Sequence, residues 1–137
     1  MNKYSFIIPC FNCSQFIEEN IIKLVRKLKK FKIKYEIILI DDGSNDGTFE
    51  VLKKINSTNQ KIKILKNHLN VGKSFSSIKA VKISKYQKII LIDCDLPYFS
   101  DLKNIILELE KGYDLVTINR KIEQSRLINK NLNLYQI

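Results

Sequence analysis

A chain of 137 residues with ordinary globular composition supports one domain around one core. No apolar run approaches the ~20 residues needed to span a bilayer. Met1-Asn2-Lys3-Tyr4 leads into a strand-like segment without a signal-peptide layout. With an odd number of cysteines (Cys10, Cys13 and Cys94), this sets the expectation of a cytoplasmic protein with reduced thiols. The net charge of +10 is uneven, with ten lysines and no acid between Glu50 and Asp93. Such an excess attracts nucleotide phosphates, lipid phosphates or an anionic membrane surface, unless it is only a solvated lysine-rich face. The lysines are not interleaved with exposed aromatics or arginines, which argues against nucleic-acid binding.

In chain order, the pattern alternates strand and helix. Tyr4 to Ile8 reads as a buried strand ended by Pro9. Ser14 caps a first helix with Glu18 and Glu19 in its first turn and Ile17, Ile21, Leu24 and Leu28 on one face. Glu36 to Ile40 is the second strand, and Asp46 caps a helix with Phe49, Leu52 and Ile55 on one face. Lys61 to Leu65 alternates like a half-exposed edge strand. Lys73 to Lys85 fits a third helix through Phe75, Ile78, Val81 and the stem of Lys82. Lys88 to Ile92 reads as a fully buried strand. Ser100 or Asp101 starts a fourth helix with Leu102, Ile105, Ile106 and Leu109 inward and Gly112 after its end. Asp114 to Ile118 is a fifth strand, and residues 121–137 fit an amphipathic helical tail through Ile122, Leu127, Ile128 and Leu132. Regular alternation implies an α/β fold, a parallel sheet flanked by helices with right-handed crossovers.

Two acidic clusters end apolar runs: Asp41-Asp42-Gly43-Ser44 after Ile37 to Ile40, and Asp93-Cys94-Asp95 after Ile89 to Ile92. Strands of one parallel sheet would bring both clusters to its carboxyl edge, where open α/β sheets bind ligands. Two carboxylates ~4 Å apart repel by roughly 4 kcal/mol at an intermediate dielectric. They must be solvated, protonated, matched by donors or bridged by a cation. Each cluster alone reads nearly as well as a simple turn or a solvated strand end.

The full set of motifs is more specific. Pro9-Cys10-Phe11-Asn12, Asp41-Asp42-Gly43-Ser44-Asn45-Asp46-Gly47-Thr48, Asn70-Val71-Gly72 and Asp93-Cys94-Asp95 occur in this order over residues 4–120. In this the chain resembles the nucleotide-binding half of family 2 glycosyltransferases of the GT-A fold. Asp93-Cys94-Asp95-Leu96 and the closing strand with Arg120 resemble the dolichyl- and polyprenyl-phosphate sugar transferases. The resemblance implies a Rossmann-like half domain over 1–120, truncated after the fifth strand, with 121–137 as a tail. It implies a transferase that binds a UDP- or GDP-sugar and Mg²⁺ or Mn²⁺ and passes the sugar to an acceptor such as polyprenyl phosphate. Peripheral membrane contact and a homo-oligomer are compatible with it.

By the same resemblance, Pro9 and Phe11 would line the nucleobase pocket, and Asp42 would accept hydrogen bonds from the base, with backbone from Ile40. Asp41 would turn the loop. Asp93 and Asp95 would meet the ribose and the metal, a hard cation that prefers oxygen ligands and keeps positions open for phosphate. Arg120 would reach a phosphate through its guanidinium fork. Lys73 is a second phosphate candidate, set against a merely basic surface. Asn12 and Cys94 complete the implied nucleotide-sugar set.

Three features depart from the family pattern: Cys13 stands where an acid is frequent, Pro97 where Gln is frequent, and the chain stops at Ile137. The family's acceptor base, which an inverting transfer needs, lies beyond that point. After Arg120 the only acid is Glu123. The alternative is therefore a truncated, non-catalytic nucleotide-sugar-binding module. A phosphoacceptor receiver domain is disfavoured because a complete strand-helix unit precedes the acid pair. A thiol-disulfide exchanger built on Cys10-Phe11-Asn12-Cys13 is disfavoured because that fold does not place paired acids after two later strands. A phosphate-binding P-loop ending Gly72-Lys73-Ser74 fails because Asn67 stands where its first glycine belongs.

Overall fold

The computed structural model describes residues 2–118 and 134–136. They fall into two compact units, 1–97 and 98–137.

The first unit runs β1 (Lys3–Cys10), α1 (Ile17–Lys30), β2 (Lys34–Asp42), α2 (Thr48–Thr58), β3 (Ile62–Asn67), α3 (Lys73–Lys82) and β4 (Lys88–Leu91). Its four strands form one parallel sheet in the order β3-β2-β1-β4. The central pair, β1 and β2, is almost continuously apolar and almost entirely buried, as parallel strands covered on both faces must be. Register runs from Lys3 opposite Lys34 to Cys10 opposite Asp41, and on the other side of β2 Asp42 stands opposite Asn67. All carboxyl ends therefore gather on one rim. β1 continues through Pro9, where the sequence suggested a stop. The ladder between β1 and β4 ends at Ile7 opposite Leu91, so the proline's missing N–H removes no bond on that side.

Helix α1 buries Ile17, Ile21, Leu24 and Leu28, the face expected from helical spacing. Full burial of four such side chains is worth about 6–12 kcal/mol before chain entropy is counted. Acids lead the helix and lysines end it, matching its dipole. Ser14 does not cap it: the cap position is Phe16, and the Ser14 N–H is drawn instead to Asp46 Oδ2 at 3.0 Å. At α2 the cap position is Gly47, while Asp46 reaches past it to accept the Thr48 N–H at 3.0 Å. Leu52 and Ile55 are buried in α2, whereas Phe49 is half-buried beneath the ammonium groups of Lys53 and Lys66.

Two expectations are corrected. Helix α3 does not bury Phe75, Ile78 and Val81; it buries Ser76, Ser77 and Ala80 and leaves Phe75 70 % exposed. Small residues let the helix approach the sheet closely, and Ala80 joins Ile7, Ile38 and Ile40 in one core cluster. Strand β4 is not fully buried either. Among the described residues it is a sheet edge, paired only with β1, with Ile90 buried and Leu91 exposed.

The second unit contains a short 3₁₀ turn (Phe99–Asp101), α4 (Leu102–Glu110), β5 (Leu115–Thr117) and β6 (Leu134–Gln136). Helix α4 buries Leu102 and Ile106, and Gly112 follows it at a φ of 91°. Among the described residues β5 belongs to a two-stranded sheet. It pairs in parallel with β6, Leu115 opposite Leu134. Of the expected helical tail, residues 134–136 are strand, and 121–133 with Ile122, Leu127, Ile128 and Leu132 lie outside the described residues, as does Arg120.

Candidate functional site

Three connections meet at the carboxyl rim of the first sheet and are fastened by hydrogen bonds. In the loop after β1, Asn12 N–H donates to Ser44 Oγ at 3.0 Å, and Asn12 Oδ1 accepts the Asn45 N–H at 3.1 Å. Cys13 N–H donates to Thr48 Oγ1 at 2.8 Å. Asn12 adopts a φ of 48°, a left-handed conformation that asparagine tolerates better than most side chains. Asn12 thus braces two loops. Asp46 works the same way: one oxygen takes the Thr48 N–H and hydroxyl and the other the Ser14 N–H. Burial opposes its ionisation, yet these donors prevail and hold its carboxyl well below the usual range.

The loop after β2 presses on the loop after β3. Gly43 has a φ of +73°, and a Cβ there would stand 2.4 Å from the Leu69 carbonyl carbon and 2.5 Å from the Asn70 nitrogen. Only glycine permits both the conformation and the approach. Next to it, Asp41 is fully buried, its Oδ1 accepting the Ser44 N–H at 3.3 Å.

Asp42 is the junction. Its Oδ1 accepts Asn67 Nδ2 at 2.9 Å, the Val71 N–H at 3.0 Å and Ser76 Oγ at 2.8 Å; its Oδ2 accepts the Gly72 N–H at 2.9 Å. Burial disfavours the charge, but the four donors outweigh it and keep the carboxyl below its ordinary value. This explains the inverted face of α3. The helix is turned to present Ser76 to Asp42, and its apolar residues go outward as a consequence.

Between these loops opens a cavity of about 450 Å³. Pro9, Phe11, Asp42, Lys73, Asp93, Cys94 and Asp95 line it, all residues singled out from the sequence. Cys10, Phe16, Asn70 and Gly72 also line it. The Asn70-Val71-Gly72 motif already flagged the last two, whereas Phe16 carried no signal beyond being an aromatic near a helix start. Asn12, Ile40 and Asp41 do not line the cavity; Ile40 lies in the core.

The second acidic cluster is arranged differently. Lys73, the first residue of α3, forms an ion pair with Asp93. Asp95 is exposed on the cavity wall. Among the described residues no group of three or more His, Cys, Asp or Glu side chains could hold a metal ion by itself. Asp93 and Asp95 offer two oxygen donor groups, which fits a Mg²⁺-like cation held by one or two carboxylates with phosphates and water completing its shell.

The thiols also converge on this site. Cys13 Sγ accepts the Thr48 hydroxyl at 4.0 Å, and Cys10 Sγ donates to the Ile8 carbonyl at 3.4 Å. The neighbouring Cys10 thiol and then burial push Cys13 up to about 12, although Cys94 and Thr48 pull the other way. Cys94 is raised further by Cys13, by burial and by the charge of Asp95, against a backbone N–H from Phe11. Both thiols stay protonated at neutral pH.

Comparison with known proteins gives a concordant result. The profile of glycosyl transferase family 2 matches residues 5–134. A Synechocystis protein described as an uncharacterized glycosyltransferase is 33% identical over 124 residues, covering 88% of this chain and 38% of its own length. The undecaprenyl-phosphate 4-deoxy-4-formamido-L-arabinose transferase of Proteus mirabilis is 26% identical over 133 residues, 95% of this chain and 40% of its own. The chain thus spans well under half the length of these relatives. Among solved structures, a Pyrobaculum calidifontis mannosyltransferase in complex with GDP-Man and Mn²⁺ superposes at a TM-score of 0.62 with 21% identity, over 75% of this chain and 31% of that one. S. aureus TarS 1-349 in complex with UDP-GlcNAc superposes at 0.64 with 21% identity, over 90% and 37%. At such identities these two establish the shared fold. The order of motifs, the parallel sheet with its loops at the carboxyl rim and the matched profile agree: the chain belongs to glycosyl transferase family 2.

Proposed function

We propose that residues 1–120 form the nucleotide-sugar-binding part of a glycosyltransferase that takes a UDP- or GDP-sugar with Mg²⁺ or Mn²⁺. The sugar would pass to an acceptor such as polyprenyl phosphate. One observation carries the reading: Asp42, Asp93 and Asp95, from two distant segments, border the same cavity beside Phe11 and Lys73. In this reading the half-exposed Phe11 ring packs on the base, with Pro9 behind it. Asp42 Oδ2 accepts one internal hydrogen bond, and a carboxylate oxygen has about two lone pairs, so one remains for a base N–H. Ile40 and Asp41 support Asp42 from behind. Asn12 keeps the loop in place, and Cys94 sets the spacing of the two acids.

Asp93 and Asp95 would hold the cation, which when bound would neutralise charge on the departing nucleoside diphosphate. Lys73 and Arg120 would contact the diphosphate, with the α3 N-terminus adding its dipole. The acceptor named for the Proteus mirabilis relative supports a polyprenyl phosphate here. A cytoplasmic location with contact at the inner membrane face, where such a lipid presents its phosphate, follows from the same reading. Among the described residues no helix is long and apolar enough to cross a membrane. The competing reading is a module that binds the nucleotide sugar without transferring it.

Calorimetry with UDP-, GDP- and dTDP-sugars, with and without Mn²⁺, tests the proposal. Binding should require Mn²⁺ and be lost in Asp95→Ala. Metal-independent binding untouched by that substitution would remove Asp95 from the metal role. Sugar transfer to a lipid phosphate would exclude the binding-only reading.

A further inference from the structure

Exposed apolar side chains are ordinary when scattered, but here six crowd into one segment. Leu69 and Val71 lie in the loop after β3, Phe75, Ile78 and Val81 on α3, and Ile83 just after it, all 42–76% exposed. None of the six lines the nucleotide cavity. We infer that α3 and the loop before it dock on an anionic lipid bilayer, with Phe75 and Ile78 inserted and the neighbouring lysines at the headgroups.

Right-handed crossovers in a sheet ordered β3-β2-β1-β4 put α3 on the opposite sheet face from α1 and α2. The inward side of α3 is Ser76, Ser77 and Ala80, so Phe75 and Ile78, neighbours on its other side, point away from the sheet. Lys79 stands one turn beyond Phe75 and Lys82 one turn beyond Ile78, with Lys85 shortly after. Their long stems lie along apolar surface while the ammonium groups reach the headgroups. No acid occurs between Glu50 and Asp93, and among the described residues no ion pair involves Lys79, Lys82 or Lys85. That charge selects the occupant. Two copies meeting through this face would set lysine against lysine. An anionic bilayer supplies the opposite charge and accepts a convex apolar ridge without a matching groove.

The loop before α3 fixes how the molecule lies on that surface. Its backbone is held: Leu69 and Asn70 press on Gly43, and the Val71 and Gly72 N–H groups donate to Asp42 at 3.0 and 2.9 Å. Asn70, Gly72 and Lys73 line the nucleotide cavity, whereas Leu69, Val71 and Phe75 are exposed outside it. The apolar ridge therefore begins at the carboxyl rim. An interfacial helix buries its apolar face about 5–10 Å into the headgroup and acyl boundary. Docking at that depth sets the cavity mouth beside the bilayer, level with the phosphate of a lipid-borne acceptor. That last consequence rests on the proposed transfer function; the docking does not.

The chain contains no tryptophan, so one placed on the ridge is an unmixed reporter. The test mixes the full chain with phosphatidylcholine vesicles containing about one-third phosphatidylglycerol, an anionic lipid. Co-flotation reads binding, and quenching by brominated lipid reads insertion. Phe75→Trp should shift its emission to the blue and be quenched; Ile22→Trp, at an exposed position of α1, should not. Phe75→Ser with Ile78→Ser should weaken binding by about tenfold. Lys82→Gln with Lys85→Gln should weaken it by roughly thirtyfold, and arginine at both positions should restore it. Added salt should release the chain, and pure phosphatidylcholine should not bind it. If the serine pair disturbs folding, the quenching of Phe75→Trp decides the insertion. No flotation with anionic vesicles overturns the docking, as does equal flotation with neutral ones. Flotation without quenching, or a folded serine pair that binds as before, overturns the inserted ridge. Self-association abolished by the serine pair, with no flotation, gives the face to a second copy and overturns the lipid surface. Flotation needs no nucleotide, so a failure of nucleotide binding leaves this test intact and the two proposals fail separately.

Discussion

Replacing Gly43 by alanine isolates the close approach on which the rim depends. The added methyl meets the Leu69 carbonyl carbon at 2.4 Å, the Asn70 nitrogen at 2.5 Å and the Leu69 Cα at 2.9 Å, all backbone atoms without a rotamer to yield. The backbone must also hold a φ of +73°. For a residue with a Cβ, that conformation costs about 1–2 kcal/mol. Forcing a methyl into a packed contact adds about 1–3 kcal/mol. The expected loss is about 2–5 kcal/mol, read from urea unfolding at constant slope. Gly47 is the internal control: its φ is +88°, but nothing lies within 4 Å of the site of its Cβ. Gly47→Ala should therefore lose only the conformational part, about 1–2 kcal/mol. Gly43→Ala should in addition shift Asn70 and Gly72, both at the cavity, and weaken nucleotide binding, while Gly47→Ala should not. Equal losses in the two variants would refute the contact between the loops.

The donors around Asp42 hold its carboxyl below the usual carboxylate range, so its contribution to stability is present above the unfolded value and is lost as the pH falls through the folded-state value. The unfolding free energy measured against pH should drop on the acid side, and Asp42→Asn should flatten that limb; an unchanged limb would disprove the donor arrangement. Lys73→Met breaks an ion pair whose side chains are 54% and 30% exposed, so stability should move by less than about 1 kcal/mol while nucleotide affinity falls at least severalfold by calorimetry. Phe75→Ala should change stability by less than about 0.5 kcal/mol. Ala80→Leu should cost about 1–3 kcal/mol. The reverse ranking in thermal or urea melts would restore the apolar face that the sequence suggested.

The central elements were legible because one force dominates them. Apart from the paired Ser5 and Glu36, β1 and β2 are apolar between their lysine starts and their carboxyl ends, and α1 repeats Ile17, Ile21, Leu24 and Leu28 at helical spacing, so burial largely decides them. Helix α3 misled because two forces compete there. Its apolar residues point to one face, but the hydrogen bond from Ser76 to Asp42 and the small volume of Ala80 choose another. Hydropathy periodicity cannot weigh a hydrogen bond to a carboxylate some thirty residues earlier. β4 misled for a topological reason, since Ile89 to Ile92 reads the same whether or not a further strand pairs beside it, and β5 pairs with β6 instead. At the site, residue identities were legible and the division of labour was not. Asn12 and Asp41 carry loop geometry, and only the hydrogen bonds show it.

That division resolves the charge problem posed by two acidic clusters on one rim. In the first cluster and the loop that follows it, each carboxylate meets donors from the protein itself: Asp42 four, Asp46 three, and Asp41 the Ser44 N–H. The charge of Asp42 is thereby held in place by the protein itself, while fully buried Asp41 keeps its Oδ2 without a hydrogen-bond partner. In the second cluster, Asp93 is matched by the Lys73 ammonium, and Asp95 stands exposed. In the proposed function, a cation entering the cavity would be drawn to exposed Asp95 and would compete with Lys73 for Asp93. Lys73 is a point charge on a flexible stem. Once displaced it remains beside the cavity at the head of α3, where a diphosphate would meet both the ammonium and the helix N-terminus. The first cluster thus supplies rigidity, and in the proposed function the second would supply an exchangeable charge.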